Sequence, residues 1–121
     1  MEDINTIYHN DFGIAFQWKR CAAKDFNKVQ LVFKNTGLFL NQEELLLFFK
    51  NIKQALNRMH LYNDCPENKT YELFLLEAPN PQISFAMCYH ELHGIHDLVK
   101  RTIFQLGLDT LLAKQKVRYN Y

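Results

Sequence analysis

Hydrophobic and polar positions along the chain change period several times, and each change marks an element. Ile4, Thr6 and Tyr8 alternate with polar neighbours. The turn residues Asn10-Asp11-Phe12-Gly13 follow, and alternation resumes through Ile14, Phe16 and Trp18. Period two separated by turn chemistry predicts a β-hairpin, with Ile14, Phe16 and Trp18 on its buried side. After a polar connection from Arg20 to Asn27, Val29, Leu31 and Phe33 alternate with Gln30 and Lys34. Asn35-Thr36-Gly37 then offers the positive-φ positions of a short loop, and Leu38-Phe39-Leu40 returns as a second hairpin.

From Asn41 the period lengthens to that of a helix. At 100° per residue, Leu45, Phe48, Phe49, Ile52, Ala55, Leu56 and Met59 form one stripe, opposite Lys50, Asn51, Lys53, Gln54, Asn57 and Arg58. Asn41 is a good N-cap, since its side-chain oxygen can accept a free N–H of the first turn. Glu43 and Glu44 place negative charge at the positive end of the helix dipole. Leu46 falls at the edge of the stripe and Leu47 on the polar side, so both are candidates for contact with a second subunit.

Asn63 to Thr70 reads as a polar loop. Tyr71 to Glu77 reads as a short apolar strand, Ala78-Pro79-Asn80-Pro81 as a reversal, and Gln82 to Tyr89 as an alternating strand with Ile83, Phe85, Met87 and Tyr89 on one face. A final helix is expected from about Ile95, after Gly94. It places Ile95, Leu98, Val99, Ile103 and Leu106 on one face and Phe104, Leu108, Leu111 and Leu112 on the other. Either Gly107 ends this helix in a left-handed cap and Asp109 starts a second one, or the helix continues and is buried on both sides.

The order hairpin, hairpin, helix, hairpin, helix predicts one α+β domain. Its expected form is an antiparallel sheet of about six strands, with two main helices packed on one face. The uncovered face is expected to be polar or, given the strands' aromatic content, a subunit interface. A length of 121 residues with 48% hydrophobic residues suits one folded domain with a real core. Fourteen basic against thirteen acidic residues leave no basic surplus for phosphate, so no nucleic-acid partner is expected. No apolar run approaches the roughly eighteen residues of a membrane span, and the acidic start MEDIN does not read as a signal peptide. Cys21, Cys65 and Cys88 are odd in number and irregularly spaced, which suits reduced thiols and a cytoplasmic protein.

One cluster has the residues for chemistry. Cys88-Tyr-His90-Glu91-Leu-His93-Gly-Ile-His96-Asp97 gathers three of the five histidines, a thiol and two carboxylates. Imidazole and thiolate suit zinc or a similar divalent ion, making Cys88, His90, His93 and His96 candidate metal ligands. His93 or His96 beside Glu91 or Asp97 would suit general acid–base catalysis. The pattern is not HExxH, Gly94 argues against His93 and His96 sharing a helix face, and cap, loop and surface histidines are the favoured reading of the run. No glycine-rich phosphate loop or GxSxG is present.

Cys21, an alternating strand, Asn35-Thr-Gly-Leu-Phe-Leu40 and a glutamate-rich start to a Phe/Leu helix carry a resemblance. Over about residues 21–52 the chain resembles short bacterial domains of unknown function, in which a CxxC-like start leads to LxFxNxxLxL and an EExxxF helix. Here Cys21-Ala-Ala-Lys24 lacks the second cysteine, and the resemblance implies no activity. The expected function is therefore a non-enzymatic interaction module forming a homodimer through Leu46, Leu47, Phe104, Leu108 and Leu111. The alternatives are a metal-dependent enzyme or metal-binding protein using His90, His93 and His96, and a domain binding a small ligand between sheet and helices.

Overall fold

The structure, a computed structural model, describes residues 3–20, 22–25, 27–62 and 73–108, excluding the side chains of residues 23 and 60–62. Strands β1 (Ile4–His9), β2 (Gly13–Trp18), β3 (Val29–Phe33) and β4 (Thr36–Leu40) precede helix α1 (Gln42–Tyr62). Strands β5 (Phe74–Glu77) and β6 (Ser84–Met87) then precede helix α2 (Tyr89–Gln105). A short 3-10 turn, Ala23–Asp25, lies in the β2–β3 connection. The class is α+β with antiparallel pairing throughout, but the six strands form two sheets: a meander β1-β2-β3-β4 and a separate hairpin β5-β6. A single six-stranded sheet with both helices on one face is not what forms. α2 lies on β1 and β2, whereas α1 packs chiefly on α2 and β5.

The reason lies in the width of the α1 stripe. All seven expected stripe residues are buried, and Leu46 joins them at 6% exposure. Together they cover about half the helix circumference at 100° per residue. No single flat layer seals so wide an arc. It is closed by α2 and the β5–β6 hairpin, with β4 beneath the start of the helix. The cap is stronger than a lone Asn41. Asn41 Oδ1 accepts the Glu44 N–H at 2.8 Å, and Glu44 Oε1 accepts the Asn41 N–H at 2.9 Å, so two free donors are satisfied reciprocally.

β3 faces the core as expected through Val29, Leu31 and Phe33, but β2 has the opposite phase. Ala15 pairs with Leu31 and is fully buried, while Ile14, Phe16 and Trp18 line the outer face. Phe16 is hidden there by Trp18, whose ring meets it edge-on at 5.1 Å. A β-bulge between Thr6 and Tyr8 turns Tyr8 towards the core while Thr6 stays outside. The β3–β4 loop is also displaced by one residue. Lys34 (φ 48°) and Asn35 (φ 60°) hold the left-handed positions of a two-residue type I′ turn, and Gly37 sits within β4.

α2 starts six residues earlier than the pattern predicts. Glu91 Oε1 accepts the Cys88 N–H at 3.0 Å and so caps the first turn. Gly94 lies inside the helix because the β1–β2 turn leans on it: a Cβ there would stand 2.8 Å from Phe12 Cβ. At the other end Gly107 (φ 74°) closes a Schellman motif, with Leu108 N–H donating to Ile103 O and Gly107 N–H to Phe104 O. The left-handed cap is thus the form adopted, and it folds Leu108 back into the core at 9% exposure. Leu46 and Leu108 are therefore core residues, not interface residues. Leu47 (44%) and Phe104 (62%) are exposed. Leu111, Leu112 and the second helix expected from Asp109 lie outside the described residues, as do Cys21 and Cys65. Thr102, the buried polar residue of α2, donates to Leu98 O at 2.7 Å.

Gly94→Ala is expected to destabilise the fold by about 1–3 kcal/mol in urea titration, because overpacking against Phe12 outweighs the helix-propensity gain of about 1 kcal/mol. Gly107→Ala, with nothing within 4 Å of a new Cβ, is expected to cost about 1 kcal/mol through its positive φ alone.

Candidate functional site

The sequence cluster opens on a shallow groove of about 440 Å³ between the β1–β2 turn and the first half of α2. Asn10, Asp11 and Phe12 form one wall; His90, Glu91, His93, Gly94 and Asp97 form the other. Residues from opposite ends of the chain meet here because the turn is rigid. Asn10 Oδ1 accepts the N–H groups of Phe12 (2.9 Å) and Gly13 (3.0 Å), while Asn10 N–H donates to Gly13 O. The Asn10 Nδ2 group reaches α2, donating to Gly94 O at 3.1 Å and to Asp97 Oδ2 at 2.9 Å. The bulge in β1 aims Tyr8 at the same carboxylate, and its hydroxyl donates to Asp97 Oδ2 at 2.7 Å.

These bonds set the protonation states. Burial alone would raise the Asp97 pKa, but the Asn10 and Tyr8 hydrogen bonds and the nearby Arg101 cation overcome it, and the carboxyl titrates below its usual range. Tyr8 moves the other way: its hydrogen bond to Asp97, then partial desolvation and the carboxylate's charge, make the phenol harder to ionise. Glu91 is also depressed. Desolvation pushes it up, yet the Cys88 N–H and the Lys34 ammonium, 3.0 Å from Oε2, outweigh that. Lys34 donates at 3.0 Å to Ala86 O as well. One ammonium thus joins the β3–β4 turn, strand β6 and the N-terminal turn of α2.

The candidate metal ligands do not gather. With α2 beginning at Tyr89, His90, His93 and His96 recur every three residues and fan across about 120° of its surface. His90 is exposed, and His93 packs on the Tyr89 ring at 4.6 Å. His96 turns towards α1 and stacks on Phe49 at 5.5 Å. Cys88, a free thiol, stands half-buried before the helix. Among the described residues no three His, Cys, Asp or Glu side chains converge as a metal site requires. His96 has a lowered pKa, first because burial penalises its cation and then because Lys100, His93 and Lys53 repel it, against the opposing pull of Asp97.

The pairing of acids and bases proposed from sequence is likewise not brought together for catalysis. Glu91 is committed to a cap and an ion pair, and Asp97 to Tyr8 and Asn10. Ser84 is exposed in β6. Tyr8, Asn10 and Phe12 were not legible as site residues. The turn chemistry of Asn10 is visible in sequence, but its partner 87 positions away is not.

Two pH effects follow. Asp97 and Glu91, with depressed folded pKa values, stabilise the fold above the ordinary carboxylate range, and that contribution is lost as pH falls below about 4. Asp97→Asn is expected to cost up to about 1 kcal/mol at pH 7 and almost nothing at pH 3, measured by urea unfolding at both values. His96 is also depressed, so its contribution is present above about pH 6.5 and is lost as pH falls through that value. His96→Gln is expected to flatten the stability profile as pH falls below about 6.5, leaving the carboxylate limb in place.

Among the described residues no helix is long and apolar enough to cross a membrane. Compared with protein-family models, curated proteins and solved structures, the chain matches none.

Proposed function

We propose that the protein is a non-enzymatic interaction module that works as a homodimer, associating through its four-stranded sheet. One observation supports this above others: the outer face of that sheet is apolar and uncovered by any described element. Ile14, Phe16, Trp18, Val32 and Phe39 share it, and Trp18, Val32 and Phe39 are 43%, 37% and 38% exposed. The residues interleaved with them on β2, β3 and β4 are Gln30 and Gly37, and at the margin Lys28 Nζ lies over the Phe39 ring, 5.1 Å from its centroid. A contiguous apolar surface rimmed by polar residues marks an association site far better than single exposed side chains do. Leu47 and Phe104 are of the latter kind. Each is the single exposed large hydrophobic side chain of its helix among the described residues, and a lone exposed hydrophobic needs no partner.

The commitments of Glu91 and Asp97 weigh against an enzymatic reading, since both carboxylates are spent on holding elements together. A near-neutral net charge of +1 neither repels a second copy nor favours a polyanion. We place the protein in the cytoplasm on its odd, irregularly spaced cysteines.

Size-exclusion chromatography with light scattering is expected to give a dimer mass for the wild type. Phe39→Lys, which sets a charge in the patch, is expected to give a monomer of similar melting temperature. Leu47→Glu and Phe104→Glu are expected to remain dimeric. A wild type that stays monomeric at every accessible concentration removes the reading.

A further inference from the structure

We propose that two copies of this chain pair through the free edge of β4, strand against antiparallel strand, about a two-fold axis at Leu38. This rests on the homodimer reading and names the contact within it.

Two open sheets have four edges, and an unblocked edge is a template for another strand. Three of the four are obstructed. β1 carries the bulge between Thr6 and Tyr8, and α2 packs against it. The edge of β5 is closed by α1: Arg58 Nη2 donates to Leu75 O at 3.1 Å, and Asn51 Nδ2 to Glu77 O at 3.1 Å. The edge of β6 is closed by Lys34 Nζ on Ala86 O. β4 differs. Thr36-Gly-Leu-Phe-Leu40 has no charge, no proline and an unbroken register with β3, and no described residue bonds its outer side.

The register fixes which groups point outward. Phe33 and Thr36 flank a two-residue type I′ turn, and that closing pair exchanges both of its hydrogen bonds. Alternation makes Leu31–Leu38 and Val29–Leu40 bonded pairs too, so Gly37 and Phe39 direct their N–H and C=O groups away from β3. Set antiparallel with its axis at Leu38, a second β4 places its Phe39 opposite Gly37, and its Gly37 opposite Phe39. Both outward residues are then bonded on both strands. On the outer face each Phe39 ring approaches the glycine of the other copy, where the neighbouring side chain is the Gln30 amide, its Nε2 3.1 Å from where a Gly37 Cβ would stand, a pairing that shields an edge glycine. The two Leu38 side chains meet on the opposite face. A second copy fits this edge because the strand is its own complement: the register that satisfies one chain satisfies the other, and no residue of β4 itself is charged, the nearby cation being Lys28 over the Phe39 ring. Pairing of two five-residue strands buries less than the roughly 1,600 Å² of a standard interface, so the dimer is concentration-dependent. Trp18, on the same face but two strands away, stays exposed.

The test is sedimentation velocity over a wide concentration range, with amide exchange of Gly37 and Phe39 followed by NMR. Wild type is expected to pass from monomer to dimer, and exchange at these two amides to slow as it does. Gly37→Pro removes an outward N–H and leaves the β3–β4 ladder its bonds; it is expected to weaken association about tenfold or more. Trp18→Lys is expected to leave association unchanged. If Trp18→Lys abolishes the dimer and Gly37→Pro does not, the chains associate face to face and the edge pairing is overturned while the homodimer stands. A wild type that is monomeric throughout overturns both. Slow exchange of the two amides at every concentration would place their cover within the monomer and overturn the edge pairing. Should Gly37→Pro fail to fold, the concentration dependence of exchange decides alone.

Discussion

Phe33, the last residue of β3, is where the separate parts of this fold are joined. Its ring stacks on Phe12 of the β1–β2 turn at 5.6 Å, lies 6.4 Å from Phe48 of α1, and meets Phe85 of β6 edge-on at 5.4 Å. Three elements thus converge on one buried side chain from a fourth. Without that hub the two sheets share few apolar contacts, since no strand of one pairs with a strand of the other. The next residue repeats the junction in polar form. Lys34 bonds β6 and Glu91, and Glu91 caps α2. The two ties are unequal. A partly exposed ion pair is worth about 0–1 kcal/mol, whereas a buried phenylalanine truncated to alanine costs about 3–5. Phe33 therefore supplies the attraction. Lys34 and Glu91 set the angle at which the hairpin and α2 approach, at the expense of a lysine held at positive φ.

That division explains why much of the fold was legible in the sequence. The α1 stripe, the Asn41 cap, the core face of β3 and the inward positions Phe85 and Met87 all follow from local period and cap chemistry. These are properties of a segment of about twenty residues, and the segment contains the information. The failures are tertiary. Gly94 reads as a helix boundary because glycine is a poor helix former. In the fold it is required by Phe12, more than eighty residues earlier, and no local signal states that. Leu46 sits at the edge of the stripe when the helix is judged alone. It is covered because the helix is packed from two sides. The phase error in β2 has the same origin. Ile14, Phe16 and Trp18 are larger than Gly13 and Ala15, so size alone assigns them to the core. There is little room on the inner side of β2: a Cβ added at Gly13 would stand 2.4 Å from Val32 O of β3, 3.0 Å from Phe33 Cβ and 3.2 Å from a Leu98 methyl group of α2. The small residues go inside, and the large ones are left facing out.

The candidate site teaches a related point. A dense run of histidines and carboxylates is a property of sequence, while a site is a property of directions. Helical geometry separates His90, His93 and His96 by about 60° each and sends them to solvent, Tyr89 and Phe49 in turn. The carboxylates of the run serve instead as anchors for Tyr8, Asn10 and Lys34. Their depressed pKa values are what structural anchoring produces, so perturbed titration here records architecture and not chemistry.

The same close packing on the inner side of the sheet accounts for its outer side. Once α2 has taken the small residues of β2, the strand's large apolar side chains have no described layer to cover them. A charged or polar outer face would have been compatible with the same core, because successive positions on a strand are independent in facing. That Ile14, Phe16, Trp18, Val32 and Phe39 occupy it therefore requires a reason outside the packing of the core. Solubility would favour charge at those positions and on the bare edge beside them, where lysine or proline is the usual safeguard against unwanted pairing. The other three edges carry such safeguards in the form of a bulge, Arg58 with Asn51, and Lys34. Their presence shows that the fold has the means to block an edge. Leu47, Leu73, Leu75, Ile83 and Phe104 are also exposed on the described surface, but only at β4 does an exposed apolar face adjoin an edge strand that has neither a charge nor a proline of its own nor, as β6 has, a lysine bonded to it, and that adjacency is a physical condition for a specific contact.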